Sequence, residues 1–221
     1  MDLIELKTDD GVVEAKHWTF LDRNEWTDAW YCEGEPDKLQ WTDTNTGYAC
    51  LIHRGPMGAL CGYVSVPPEH PFFELDYMDC LKEDVHHPLP NAEDSGYSED
   101  PNSYYQKVQM ARWVCDDPGG CWSHSYSSRL EAHGGITYSG RGVRCTDGKY
   151  PPEQGLWFEG LDEFWLIGFD CSHLYDKAPG SDPMFREFGS VYRDVRYVFG
   201  EVTSLARQLH NLRTRALLNG Q

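Results

Sequence analysis

Apolar and polar positions divide this chain into short apolar runs, one long polar stretch and a strongly periodic C-terminus. Leu3-Ile4-Glu5-Leu6-Lys7 and Gly11-Val12-Val13-Glu14-Ala15 flank an Asp9-Asp10-Gly11 turn signal and predict a hairpin. Tyr48 to Arg54 and Leu60 to Val66 read as two strands around a Gly55-Pro56-Met57-Gly58 turn. Pro67, Pro68 and Pro71 end the second of them, because proline cannot continue a ladder. A further strand is expected around Ile136, and Leu156-Trp157-Phe158 and Phe164 to Phe169 return to the core. From Val195 to Ala216, apolar residues recur at spacings of three and four, one face of an amphipathic helix. Asp194 is its expected N-cap, and Arg207, Arg213 and Arg215 suit the dipole of its C-terminal half.

These elements predict an α+β fold, a mainly antiparallel sheet with a long C-terminal amphipathic helix packed on it. One domain is expected over 1–221, since no linker divides the chain into balanced halves. Within it, 1–47 reads as an N-terminal extension in which Trp18, Trp26, Trp30 and Trp41 supply apolar anchors. Residues 81–128 read as an acidic, loop-rich insertion, and 192–217 as the helix and its entrance.

Charge changes the picture of partners. The formal charge is −17, which argues against non-specific binding of nucleic-acid backbones, where clustered Lys and Arg are required. An acidic surface suits cations, basic peptides or a basic groove on another protein. The chain opens on MDLIELKTDD, without the pattern of a secretory signal, and no apolar run has the length of a bilayer span. A cytoplasmic protein with no membrane partner and mostly reduced thiols is therefore expected for its 8 cysteines.

Two polar motifs set in apolar sequence carry the candidate chemistry. His133-Gly134-Gly135-Ile136-Thr137-Tyr138 is one, and Gly168-Phe169-Asp170-Cys171-Ser172-His173 is the other. An Asp and a His at the end of a buried strand are costly unless paired, hydrogen-bonded or bound to metal. Imidazole nitrogen and carboxylate oxygen are ligands for zinc or a similar divalent ion, so His133, Asp170 and His173 are the candidate metal and catalytic residues. His70 and Asp176 are available to complete such a site. Without metal, a His held by an Asp is a general base near neutral pH. Thr137, Tyr138 and Cys171 are candidate nucleophiles or proton donors. Alternation sends residues 170 and 171 to opposite faces, so Cys171 is expected to be a buried structural thiol. Gly134 and Gly135 allow the backbone to approach a ligand or form a bulge, and Arg193 suits a carboxylate or an anionic ligand. The glycine pair is no phosphate loop, as neither GK[ST] nor GxGxxG is present. Cys115 and Cys121, with His124, form a second cluster in the insertion, suited to a small structural zinc knot or, in an exported protein, a disulfide.

Taken together, the motifs resemble a family of small accessory proteins of bacteriophages and some bacteria. The shared pattern is Gly47-Tyr48, Leu60-Cys61-Gly62-Tyr63-Val64, Val66-Pro67 and His70-Pro71, followed by the two motifs above. It closes with Tyr192-Arg193-Asp194, Tyr197-Val198, Glu201, Leu205-Ala206 and Gln208-Leu209, and covers about half of the chain. The stretch between Tyr77 and His133 and the N-terminal region are long for the family. What the resemblance implies is context: an accessory phage protein in the host cytoplasm that antagonises defence, by binding a host enzyme or by sequestering or degrading a nucleotide signal.

Three readings follow. In the first, His70, His133, Thr137, Asp170, His173 and Arg193, with Gly134, Gly135 and Tyr138, form a pocket for a nucleotide-type small molecule, with hydrolysis dependent on a divalent metal as its active form. In the second, the protein is a non-enzymatic inhibitor that occupies a host protein through its acidic surface. In the third, the polar motifs only organise the fold.

Overall fold

The computed structural model describes residues 2–8, 11–78, 126–142, 155–158, 164–182 and 189–219. Most of the acidic insertion, with Cys115, Cys121 and His124, lies outside the described residues. Seven strands form one sheet: β1 (Asp2–Thr8), β2 (Gly11–Trp18), β3 (Lys38–Thr42), β4 (Ala49–Arg54), β5 (Leu60–Val66), β6 (Tyr138–Arg141) and β7 (Trp165–Asp170). Their order is β1-β2-β3-β4-β5-β7-β6, and every neighbouring pair is antiparallel. One long helix, α1 (Val195–Asn219), packs over β4 and β5. The α+β reading is borne out. The segment read as an extension supplies β1 to β3 of the same sheet, and its hairpin closes with Thr8 opposite Gly11. No helix among the described residues is long and apolar enough to cross a membrane.

Strand alternation sorts the core into two layers. Ala15, Leu39, Trp41, Cys50, Ile52, Val64, Ile167 and Phe169 share the larger cluster with Val198, Val202, Leu205 and Leu209 of α1. Leu51, Tyr63 and Leu166, their neighbours along the strands, lie in a second cluster with Phe158 and Phe164. The period-two alternation of β4, β5 and β7 therefore feeds two apolar layers, and these strands read as continuous apolar runs. Gly62 lets α1 approach: a Cβ there would come within 2.5 Å of Val202 and 2.6 Å of the Phe169 ring. Trp41 is a core anchor, but Trp30 is 62% exposed and stacks on Tyr31 instead.

A charged core sits beside the apolar one. Arg54 is fully buried, its guanidinium donating to Glu35 at 2.8 Å, to the Tyr192 hydroxyl at 2.7 Å and to the Gly58 carbonyl at 3.0 Å. Its Nε lies 3.3 Å from Asp37, which is also fully buried. Asp37 accepts from the backbone N–H groups of Phe20 and Leu21 and pairs with Arg23. The Lys38 ammonium donates to the carbonyls of Gly155 and Trp157 and faces the rings of Trp18 and Trp157. Buried charge persists only when paired and hydrogen-bonded in this way. The network ties the 20–38 segment to Tyr192 and, through Glu35 and the Val195 N–H, to the start of α1.

The strand expected around Ile136 begins two residues later, at Tyr138. The reason is local: Gly134 and Gly135 both take positive φ, and Gly135 N–H donates to Ala132 C=O, so the chain turns before it extends. At the helix, Asp194 caps as expected, accepting from Tyr197 N–H at 2.8 Å.

Candidate functional site

Three segments meet at the N-terminal end of α1. The 132–135 turn presents His133, the exit of β7 presents Asp170 and His173, and the loop after it presents Asp176. That loop is fixed to the approach to α1 by a bridge between Asp176 and Val191, with Lys177 N–H donating to Val191 C=O and Val191 N–H to Tyr175 C=O. Tyr175, just before Asp176, has a φ of 70°, a left-handed conformation rare for a non-glycine residue and found where surrounding contacts over-determine the backbone.

Asp176 is the hub. Its Oδ2 lies 2.6 Å from His133 Nε2 and accepts from the His173 backbone N–H at 3.1 Å. Its Oδ1 accepts from Arg193 Nε at 3.1 Å. Burial raises the Asp176 carboxyl, but these hydrogen bonds from His133, Arg193 and His173 overcome it and hold the group below the ordinary carboxylate range. An ionised carboxylate only accepts, so in the neutral imidazole His133 Nε2–H donates to it. His133 Nδ1, 3.0 Å from the Tyr197 hydroxyl, is then the acceptor of that O–H. The result is a hydrogen-bonded chain from Asp176 through His133 to Tyr197. Arg193 also lies over the Tyr197 ring, 4.8 Å from its centroid.

His173 completes the group. Its Nδ1 is 3.6 Å from Asp176 Oδ2 and 4.0 Å from Asp170 Oδ1, and it has no hydrogen-bond partner among the described residues. One donor atom from each of His133, His173 and Asp176 lies within 4.8 Å of the others. Gly134 makes this possible, since a Cβ there would fall 2.1 Å from the His173 ring. The structure thus groups Asp176, rather than Asp170, with the two histidines. Asp170 is occupied at the strand end: Thr137 Oγ1 donates to its Oδ2 at 2.8 Å, and the Ser172 hydroxyl and N–H donate to its Oδ1. Burial raises its carboxyl, and the bonds from Ser172 and Thr137 more than reverse this.

The remaining candidates divide by sheet face. Cys171 is buried in the main core, and burial pushes its thiol well up, as a structural cysteine requires. Tyr138 turns to the opposite layer, edge-on to Tyr63. His70 lies under the C-terminal half of α1: Phe72 N–H donates to its Nδ1 at 3.1 Å, and its Nε2 donates to the Leu209 carbonyl. It is a satisfied core histidine and does not join the cluster. Tyr197 entered the sequence reading only within the Tyr197-Val198 motif of the resemblance and not as a site residue. Its signal was its place four residues after Arg193 and three after the cap Asp194, one face of the first helical turn.

His70 yields a pH prediction. Burial lowers its pKa to about 3, below the ordinary value of 6.5. The unfolded chain therefore binds the extra proton first, and stability falls as pH drops from about 6.5 towards 3. Denaturant titrations across that window should show a slope from this residue approaching about 1.4 kcal/mol per pH unit. A His70→Gln variant should lose that component; an identical slope in the variant would refute the assignment.

No protein-family profile matches the chain, and neither a curated protein nor a solved structure matches it.

Proposed function

We propose that the protein binds a divalent transition-metal ion of the zinc class through His133 Nε2, His173 Nδ1 and Asp176 Oδ2, and uses that site on a nucleotide-type small molecule. The observation that carries the reading is the unpartnered Nδ1 of His173, set beside an ionised carboxylate and a second imidazole. Two histidines and a carboxylate are a common donor set for such ions. The surroundings support it, because two of the three ligands have a second group to orient them: Tyr197 on the far nitrogen of His133 and Arg193 on the far oxygen of Asp176. A bound ion would polarise a phosphoryl oxygen or activate water. Arg193 adds a cationic group beside the centre, which suits an anionic ligand such as a phosphate. The nucleotide class and the role in defence antagonism extend the family resemblance.

The Nε2 proton of His133, now donated to Asp176, must leave when a metal binds. Uptake is therefore expected to release a proton and to weaken as pH falls. Elemental analysis of untagged protein should find about one equivalent of zinc, manganese or iron, by the usual one-ion stoichiometry of such a site. His133→Ala and Asp176→Asn should each lose it while the circular dichroism spectrum persists. Metal kept by both variants and lost on changing Cys115 or Cys121 would move the ion to the insertion and refute the proposal, as would a protein that takes up none of these metals.

A further inference from the structure

The two edges of the sheet are built differently. The edge strand β6 is short, contains Gly140 and is tied to the 74–77 segment, where Tyr77 N–H donates to Ser139 Oγ at 2.7 Å and Glu74 pairs with Arg141. At the other edge, β1 is longer and has no proline, glycine or bulge: it runs in unbroken register with β2 from Asp2–His17 to Thr8–Gly11. Among the described residues, nothing pairs with its outer side. The ladder between β2 and β3 covers only Lys16 to Trp18, so the turn half of the hairpin is paired only within itself. A strand edge that is long, regular and open is a template for another strand.

The side chains of β1 decide which strand fits. Leu3, Glu5 and Lys7 are exposed on one face, and Ile4 and Leu6 are half-buried against the main core on the other. Within the hairpin, Glu5 stands opposite Glu14 and Lys7 opposite Val12. Like charges directly opposite each other are destabilising. Neither Glu5 nor Lys7 has an ion-pair partner among the described residues. A cation set against Glu5 from the open side would offset the like pair, and an anion set against Lys7 would complete it.

A second copy of β1 supplies both. An added antiparallel strand must keep the two faces in phase, since a slip of one residue sends every side chain to the other side. Two β1 strands stay in phase when they pair about a shared residue. Pairing about Glu5 sets Glu5 against Glu5, and pairing about Lys7 sets Lys7 against Lys7. Pairing about Ile4 sets Glu5 against Leu3. Pairing about Leu6 sets Glu5 of each copy against Lys7 of the other, with Leu6 against Leu6 and Ile4 against Thr8. We propose that two copies of the chain associate through their β1 edges, antiparallel about Leu6, so that the two sheets join into one across a two-fold axis. The edge is self-complementary in that register, as the interface of a symmetric dimer requires. Each Glu5 then lies between Glu14 of its own hairpin and Lys7 of the other copy.

The test is sedimentation velocity of the full chain in about 0.15 M salt, where repulsion between chains of net charge −17 is screened beyond about 8 Å while touching pairs persist. Across roughly 1–300 μM, the range suited to a small interface, the parent should pass from the 25.4 kDa monomer to twice that mass. Glu5→Lys and Lys7→Glu should each weaken self-association about tenfold or more, because both symmetry-related pairs turn from attractive to repulsive. Mixed in equal amounts, the two variants should form a heterodimer, since each offers the charge that the other lacks. That recovery also shows both variants to be folded. His133→Ala should dimerise as the parent does, because β7 lies five strand spacings, roughly 24 Å, from β1. A parent that stays monomeric throughout the range would overturn the proposal. Dimerisation unchanged in both charge variants would also overturn it, by placing the interface elsewhere, as would variants that stay monomeric when mixed. Loss of the dimer in His133→Ala would overturn it by tying assembly to the histidine centre.

Discussion

Replacing Asp37 with alanine is expected to destabilise the protein by about 3–5 kcal/mol, the usual cost of breaking a buried ion pair by removing one partner. Asp37 is fully buried and serves two arginines and two backbone N–H groups. Without it, the Phe20 and Leu21 amides lose their acceptor, and Arg54, itself without exposure, keeps only Glu35 as a charged partner. The cost therefore comes from stranded charge more than from lost attraction. Urea denaturation of the parent and variant measures it directly. A loss below about 1 kcal/mol, the range of exposed pairs, would show that the network is solvated and contributes little. The same variant should loosen the start of α1, because Glu35 joins Arg54, Tyr192 and Val195 N–H.

The second large effect is expected from Gly134→Ala. Alanine at a φ of 66° costs about 1–2 kcal/mol through the clash of its Cβ with the backbone. Its Cβ would also fall 2.1 Å from the His173 ring, and overpacking of that kind adds about 1–3 kcal/mol. The ring must move, and it carries one of the three donor atoms of the proposed centre. Gly135→Ala is the matched control: its φ is 91°, but nothing lies within 4 Å of the added carbon. Gly134→Ala should lose metal binding and stability together, whereas Gly135→Ala should lose stability alone. Equal metal affinity in the two variants would show that His173 is no ligand.

Much of this architecture was legible because it rests on local patterns. The hairpin at Asp9-Asp10-Gly11, the strands ending at Arg54 and Val66, and the helix capped by Asp194 each depend on neighbours in sequence. Turn chemistry, proline placement and a repeat of three and four report such features directly. The strand expected around Ile136 failed for the same kind of reason: two left-handed glycines won over the apolar character that follows them. Trp30 shows the limit of composition, since a tryptophan exposed beside Tyr31 reads like one in the core.

The candidate site was legible in its parts and not in its grouping. Both histidine motifs stood out, because His and Asp beside apolar strands need partners. Which carboxylate would face which imidazole depends on where the 174–191 loop returns. Asp170 points to Thr137 and Ser172 at its own strand end, while Asp176 is carried to His133 by a bridge to Val191. His70 had the same sequence credentials as His133, yet it is enclosed beneath α1 and bonded to Leu209.

The sequence by itself determined the α+β class, the face of α1 that is buried, and the two segments that carry the histidines. Those properties follow from the period of apolar residues and from turn preferences, which act over a few residues. Only the tertiary structure decided that Asp176 and Tyr197 complete the centre and that Arg54, Asp37 and Lys38 form a charged core. These are contacts between residues far apart along the chain, set by how the loops return and how the helix lies on the sheet, and no local pattern encodes them.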